Sequence, residues 1–355
     1  MTAKRARMLL NILHCHLVGR RQPINVYLAV TNRCNLRCFY CYGEYAERKN
    51  WPEFTTEELI TLIDDLARHG TRLLQLQGGE PLLRDDIGRL VDRVKHNGII
   101  CDMITNGMLV ERKLDVVKRL DSICISLDGR EELNDRNRGS GTFVQTMRAI
   151  ELASSSGVPT RLNAVLTSQT EEADLRFLAE TARRFGALLN FSLSFQYEAL
   201  KEGGPSHHLD IPDEKIRKLL EGIKNLQHQG YPIQFTRQAH DVALNWPFSY
   251  QKRMARAAEL PPDFKYPKCY HADYVVFIDG DGSVYPCCNF WGKPRWNVRE
   301  HGLTASLAGL GREGCEACYI LSYIDRNLVF GMRPSTLGHY VVRSLRELGG
   351  RASGQ

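Results

Sequence analysis

The chain has 355 residues, long enough for one large core or for two domains. Hydrophobic residues make up 43% and charged residues 25%, ordinary values for a globular fold, so a fibrous or low-complexity protein is excluded. The formal net charge of +6 is a mild bias that suits an anionic ligand, and no basic stripe marks a nucleic-acid footprint.

The N-terminus carries Lys4, Arg5 and Arg7 ahead of an apolar run from Met8 to Val18. Asn11, His14 and His16 interrupt that run, and Arg20-Arg21 follow without a small-residue cleavage site, so a signal peptide is not expected. Residues 1–22 read as a short amphipathic helix docking on the body, with attachment to a membrane surface as the alternative. No run of about 18 uncharged apolar residues occurs, so no transmembrane helix is expected. The 11 cysteines are an odd number without an export signal. Metal or cluster binding in a reducing, cytoplasmic setting accounts for them better than a disulfide framework.

Ile24 to Val30 reads as a buried strand that runs into Cys34-Asn35-Leu36-Arg37-Cys38-Phe39-Tyr40-Cys41. Thr55 to Glu58 is a capping-box pattern, and Leu59, Leu62, Ile63 and Leu66 then repeat at helical spacing up to Gly70. A second strand, Leu73 to Gln77, ends in Gly78-Gly79-Glu80-Pro81. A helix through Ile87, Leu90, Val91 and Val94 follows. The third strand, Ile100 to Ile104, meets Thr105-Asn106-Gly107; a helix is predicted over about Glu111 to Arg119. The fourth strand, Ser122 to Leu127, ends at Asp128-Gly129. Thr142 to Ser155 is helical, Arg161 to Leu166 a fifth strand, residues 175–182 a helix, and Leu188 to Ser194 a sixth strand.

Six strand–helix repeats over residues 23–200 predict a parallel sheet with right-handed crossovers, curved into an open sheet or a partial (β/α)6 barrel. Ligands of such folds bind at the carboxyl ends of the strands. The cysteine loop, Gly78-Gly79-Glu80-Pro81, Thr105-Asn106-Gly107 and Asp128-Gly129 should therefore converge on one face. Beyond the linker-like Gly203-Gly204-Pro205-Ser206, residues 201–268 read as a helical connector with pieces broken at Pro247 and Pro261-Pro262. Residues 269–318 form a compact cysteine-bearing extension with a β-hairpin over Phe277 to Tyr285, and residues 319–355 a C-terminal helix and tail.

Cys34, Cys38 and Cys41 are spaced C-x3-C-x2-C. Three thiolates hold a four-iron, four-sulfur cluster at three corners and leave one iron open, where four cysteines would close it. With Tyr40 before the last cysteine and the Gly78-Gly79-Glu80-Pro81 turn in register, the sequence resembles the radical S-adenosylmethionine (radical SAM) superfamily. The resemblance implies that S-adenosylmethionine binds the open iron through its amino and carboxylate groups. It implies that one-electron reduction then yields a 5′-deoxyadenosyl radical, which abstracts a substrate hydrogen. Tyr40 would pack near the adenine, Gly78 and Gly79 would let the backbone approach the ligand, and Glu80 would accept the methionyl ammonium. Ser126 and Asp128 would touch the ribose or carboxylate, Arg138 would pair with the methionyl carboxylate, and Asn163 is a further candidate. Structural zinc or an inert cysteine cluster is the bland alternative for the triad.

Cys269, Cys287, Cys315 and Cys318 form the second constellation, with Gly282-x4-Cys287 and Cys315-x2-Cys318 spacing. It resembles the SPASM/Twitch extensions of radical SAM enzymes and implies one auxiliary four-iron cluster. Cys288 is the alternative to Cys287, since adjacent side chains of an extended strand point apart. A zinc ribbon is the competing reading of the whole site. Tyr197 and Glu198, after the sixth strand, are candidates for substrate contact or proton transfer, or simply surface polarity. Cys15, Cys101 and Cys124 read as small core residues. About 22 residues precede the first strand, so no separate leader-peptide domain is expected there, which favours a small-molecule substrate over a peptide. A reductase such as flavodoxin or ferredoxin would be the electron-donating partner. A protein of another class, an iron–sulfur electron carrier or zinc-binding module, would instead have fully ligated sites and no cleavage of S-adenosylmethionine.

Overall fold

The computed structural model describes residues 3–48, 50–194, 211–292, 294–334 and 336–338. α1 (Ala3–Val18) leads into β1 (Asn25–Thr31), α2 (Thr56–Arg68), β2 (Leu73–Gly78), α3 (Ile87–His96) and β3 (Ile100–Thr105). Then come α4 (Leu114–Val117), β4 (Ser122–Ser126), α5 (Glu131–Arg138), α6 (Thr142–Ser155), β5 (Thr160–Leu166), α7 (Glu172–Arg184) and β6 (Leu188–Leu193). The C-terminal half adds α8 (Asp213–His228), α9 (Arg237–Leu244), β7 (Met254–Arg256), β8 (Val275–Ile278), β9 (Ser283–Tyr285), β10 (Trp296–Asn297), α10 (Val298–Gly309, broken at Gly302), β11 (Cys315–Cys318) and α11 (Leu321–Phe330).

Strands β1 to β6 lie side by side and parallel, as the strand–helix alternation requires. The helices between them are locally encoded. Thr55 accepts the Glu58 N–H and Glu58 accepts the Thr55 N–H, so the capping box starts α2 where the sequence put it. Leu59, Leu62, Ile63 and Leu66 then bury one stripe against the sheet, each worth roughly 1.5–3 kcal/mol of transfer free energy.

A parallel sheet covered by helices on both faces would show continuous apolar runs. These strands alternate instead. Val26, Leu28, Leu74, Leu76, Cys101, Met103, Ile123, Ile125 and Leu162 enter the helix-covered core. Their neighbours Tyr27, Gln75, Asp102, Cys124, Arg161 and Asn163 face a cavity of about 1160 Å³. Residues of α1 and α11 complete its wall. The sheet does not close: its edges are β10 and β6, and the barrel is partial.

The hairpin of the cysteine-bearing extension, β8–β9, joins the main sheet, because β8 pairs parallel with β1. Two expectations are corrected. The stretch after Pro247 contains β7, which pairs antiparallel with β11, so the Cys315–Cys318 segment is a strand. The helix predicted over about Glu111 to Arg119 shortens to Leu114–Val117. No helix among the described residues is long and apolar enough to cross a membrane. Cys15 and Cys101 are buried core thiols, as read, whereas Cys124, though buried, faces the cavity.

Candidate active site

The cysteine loop leaves β1 under tight control. Glu53 accepts the Thr31 hydroxyl at 2.7 Å and the Asn32 N–H at 2.6 Å, and the Asn32 side-chain amide donates to Pro52 O at 2.8 Å. The Gly78–Gly79 pair sits directly beneath. A Cβ on Gly79 would lie 2.0 Å from Arg33 O, and one on Gly78 2.4 Å from Thr31 O. The pair therefore serves first to let two backbones touch, the end of β2 and the start of the cysteine loop. Cys34, Cys38, Cys41, Tyr40, Gly78 and Gly79 all line the cavity at the carboxyl ends of the strands.

Glu80 is fully buried and is not part of that lining. Its carboxylate accepts the Thr105 hydroxyl at 2.8 Å, the Asn106 N–H at 2.8 Å and the Leu82 N–H at 3.1 Å. Burial raises its pKa to about 7 in spite of these donors. Asn106 passes the contact on: its Nδ2 donates to Asn35 Oδ1 at 2.8 Å and lies 4.0 Å from Cys34 Sγ. Glu80 thus stands one residue removed from the cysteines. The role of Asn106 was not foreseen, although Thr105-Asn106-Gly107 falls on the expected face.

Asp128 is likewise fully buried behind the wall. It accepts from the Tyr40 hydroxyl, from Arg138 Nη2 at 2.7 Å, from Asn137 Nδ2 at 3.1 Å and from the Val165 N–H at 3.0 Å. The Arg138 guanidinium lies 5.6 Å from the Tyr40 ring centroid. Burial disfavours the Arg138 charge, but the Asp128 carboxylate beside it overrides this and holds its pKa above the ordinary value. Arg138, Ser126 and Asn163 face the cavity, and Ser192 donates to Asn163 Oδ1 at 3.2 Å. Tyr197 and Glu198 lie outside the described residues.

The other four cysteines gather behind the sheet edge. Cys287 feels the charge of its neighbour Cys288 first, then those of Cys318 and Cys269, and Cys318 feels those of Cys269 and Cys315. Tyr266 Oη lies 3.4 Å from Cys318 Sγ. Cys287 is buried with this group, whereas Cys288 lines the main cavity, and Tyr42 feels its charge together with that of Cys41. Of the two adjacent thiols, only Cys288 lines the main cavity. Burial pushes Cys34 and Cys315 up to about 12, so taking up iron would release their protons. Cys34, Cys38 and Cys41 line the cavity; of the other four, Cys287 and Cys318 are buried and Cys269 and Cys315 half-buried, and among the described residues no three His, Cys, Asp or Glu side chains stand close enough to hold a metal ion as placed.

Residues 28–182 match the model of the radical SAM superfamily, a span from β1 through α7 that contains the triad, the glycine turn, Asp128 and Arg138. This stretch is a radical SAM domain. Enzymes with this domain use S-adenosylmethionine and a four-iron cluster. Among sequence relatives, the chain is 27% identical over 249 residues to an Fe-coproporphyrin III synthase of Methanosarcina barkeri, covering 68% of this chain and 62% of the relative. It is 26% identical to a probable GTP 3′,8-cyclase of Methanococcus maripaludis, covering 59% of this chain and 74% of the relative. Among solved structures, Streptococcus suis SuiB bound to its precursor peptide SuiA superposes with a TM-score of 0.65 at 17% identity, covering 85% of this chain and 68% of SuiB. anSMEcpe with bound AdoMet superposes with a TM-score of 0.61 at 19% identity, covering 86% and 84%. At these identities the structures speak for the radical SAM fold alone.

Proposed function

We propose that the chain reductively cleaves S-adenosylmethionine and abstracts a hydrogen atom from a small biosynthetic intermediate, with one auxiliary four-iron cluster assisting. The observation that carries this reading is the convergence of Cys34, Cys38 and Cys41 with Tyr40, Gly78–Gly79 and Arg138 on one cavity. A cluster held by the triad would supply the electron that splits the sulfonium and frees the 5′-deoxyadenosyl radical. Arg138, pre-set by Asp128, offers a fixed guanidinium to the methionyl carboxylate. Tyr40, tethered by the same carboxylate, presents its ring to the adenine. Glu80 holds Asn106 against the cysteine loop and so keeps the triad in register.

Cys269, Cys287, Cys315 and Cys318 would hold the auxiliary cluster, whose four thiolates leave no open iron and suit it to electron transfer. A flavodoxin or ferredoxin would deliver the electron. All eleven cysteines are free thiols, in keeping with a cytoplasmic setting.

The relatives named for Fe-coproporphyrin III and GTP chemistry favour a small molecule. The peptide-bound fold neighbours support peptide modification as the second reading. The test is anaerobic reconstitution followed by dithionite and S-adenosylmethionine. 5′-Deoxyadenosine should form, and iron and sulfide should each approach about eight per chain. A reducible triad cluster that yields no 5′-deoxyadenosine would refute the enzyme reading and leave the electron carrier; zinc at the second site would remove the auxiliary cluster.

A further inference from the structure

The cavity extends well below the cysteines. From Thr31 back to Tyr27 is four residues of strand, about 13 Å. At that depth the wall turns cationic. Arg161 of β5 reaches across to Asp102 of β3, which also accepts the Ser122 hydroxyl at 2.6 Å. Arg326 of α11 approaches from the opposite side and lies 5.1 Å from the Tyr27 ring centroid. The Tyr27 ring is stacked on Phe277 at 4.2 Å, and it feels the charges of both arginines.

Arg326 also hydrogen-bonds the Tyr27 side chain, and each arginine keeps a spare donor. Arg161 Nε and Arg326 Nη1 are buried without a hydrogen-bond partner. Among the described residues no carboxylate lies within ion-pair distance of Arg326. Five arginines and two aspartates line the cavity. Both aspartates are already engaged, Asp102 by Arg161 and Asp325 by the Thr236 N–H at 2.8 Å. Both arginines are half-buried at the cavity wall, and their shielded idle donors would gain a partner from an anion in the cavity. Planar, forked donors suit the paired oxygens of a carboxylate or a phosphate.

We propose that Arg326 and Arg161, over the Tyr27 ring, form a subsite for an acidic group of the substrate. The substrate is then an anionic small molecule anchored at the cavity floor, with its reacting C–H held toward the cysteine end. This rests on the radical SAM reading above, and it names the substrate class. The subsite is separate from Arg138, which lies at the cysteine end with Tyr40.

The experiment is calorimetric titration of the reconstituted enzyme, with S-adenosylmethionine bound. The probes are azelate (a nine-carbon dicarboxylate), inorganic pyrophosphate and the uncharged nonane-1,9-diol. At least one anion should bind about tenfold more tightly than the diol, and Arg326→Gln should weaken it about tenfold. Azelate binding assigns a carboxylate substrate, pyrophosphate binding a phosphate, and binding of both a general acid subsite. Should Arg326→Gln not fold, Arg326→Lys, which keeps the charge and loses the fork, should still weaken the anion measurably. Neither anion outbinding the diol at about 10 mM, or equal affinity in the folded variants, overturns the proposal. 5′-Deoxyadenosine is assayed in the same preparation without probe. Its formation alongside absent anion binding sinks only the subsite; its absence sinks the radical reading instead.

Discussion

Asp128 accepts a 2.7 Å hydrogen bond from Arg138, with the carboxylate sealed behind the cavity wall and the guanidinium on its inner surface. The pair is a buried ion pair whose anion has four donors, so neither member is redundant.

Removing the anion strands the cation. Asp128→Ala should cost about 3–5 kcal/mol, because Arg138 stays buried without its counter-charge. Tyr40 loses its tether in the same variant. Denaturant unfolding should register the loss, and calorimetry on the reconstituted protein should show weaker binding of S-adenosylmethionine. Unchanged affinity in a folded Asp128→Ala enzyme would remove Arg138 and Tyr40 from the binding site.

Gly79→Ala tests the backbone contact beneath the triad. Its Cβ would stand 2.0 Å from Arg33 O, and a backbone atom cannot swing aside as a side chain does. Overpacking of this kind costs about 1–3 kcal/mol. The expected result is a displaced cysteine loop, read as iron retention falling by about half in the reconstituted protein. Full iron content with normal melting would contradict the close approach.

The adjacent cysteines separate cleanly by metal analysis. Cys287→Ser should lower iron by about four atoms per chain, since Cys287 is buried away from the main cavity and feels the charges of Cys318 and Cys269 as well as that of Cys288. Cys288→Ser should leave iron unchanged, because that thiol faces the main cavity. The opposite pattern would exchange the two assignments.

His240 gives a pH signature independent of the clusters. Burial lowers its pKa from 6.5 to about 4, with Lys224 and His228 pushing the same way and Asp241 opposing. The folded state holds the ring neutral while the unfolded chain protonates it. Stability from this site is therefore complete above pH 6.5 and drains as pH falls toward 4, by about 3 kcal/mol. His240→Phe should flatten that part of the pH–stability curve, measured by urea unfolding. An identical acid slope in the variant would reject the assignment.

Local signals carried much of this fold. Thr55 with Glu58, the apolar stripe of α2, and glycines or Asp128 at strand ends each state their role within a few residues. The cavity face was legible but went unread: Gln75, Asp102, Arg161 and Asn163 alternate with apolar neighbours inside strands, and period two with a polar member means one face lacks helices. Helix α5 has a single buried apolar residue, Leu133, so no periodicity announces it. The pairings β8 with β1 and β11 with β7 join residues far apart in sequence. Nothing local in Met254–Arg256 or Val275–Ile278 names the partner. For the same reason the burial of Glu80 and Asp128 behind the wall could not be read from the motif that contains each.

The β8–β1 pairing has a consequence during synthesis. Asn25 meets Val275, so one edge of β1 has no partner until the ribosome has added 250 further residues. At about 5–20 residues per second that interval is roughly 12–50 s. Throughout it an apolar strand offers a free hydrogen-bonding edge to any neighbouring chain. Nascent chains arrested before residue 275 should be captured by holding chaperones or cleaved by added protease, while chains arrested well past Ile278 should resist both. Equal resistance at the two arrest points would mean that the six-strand sheet shields β1 unaided. The cell's output of this protein is then governed by how well it guards one unfinished sheet border during translation.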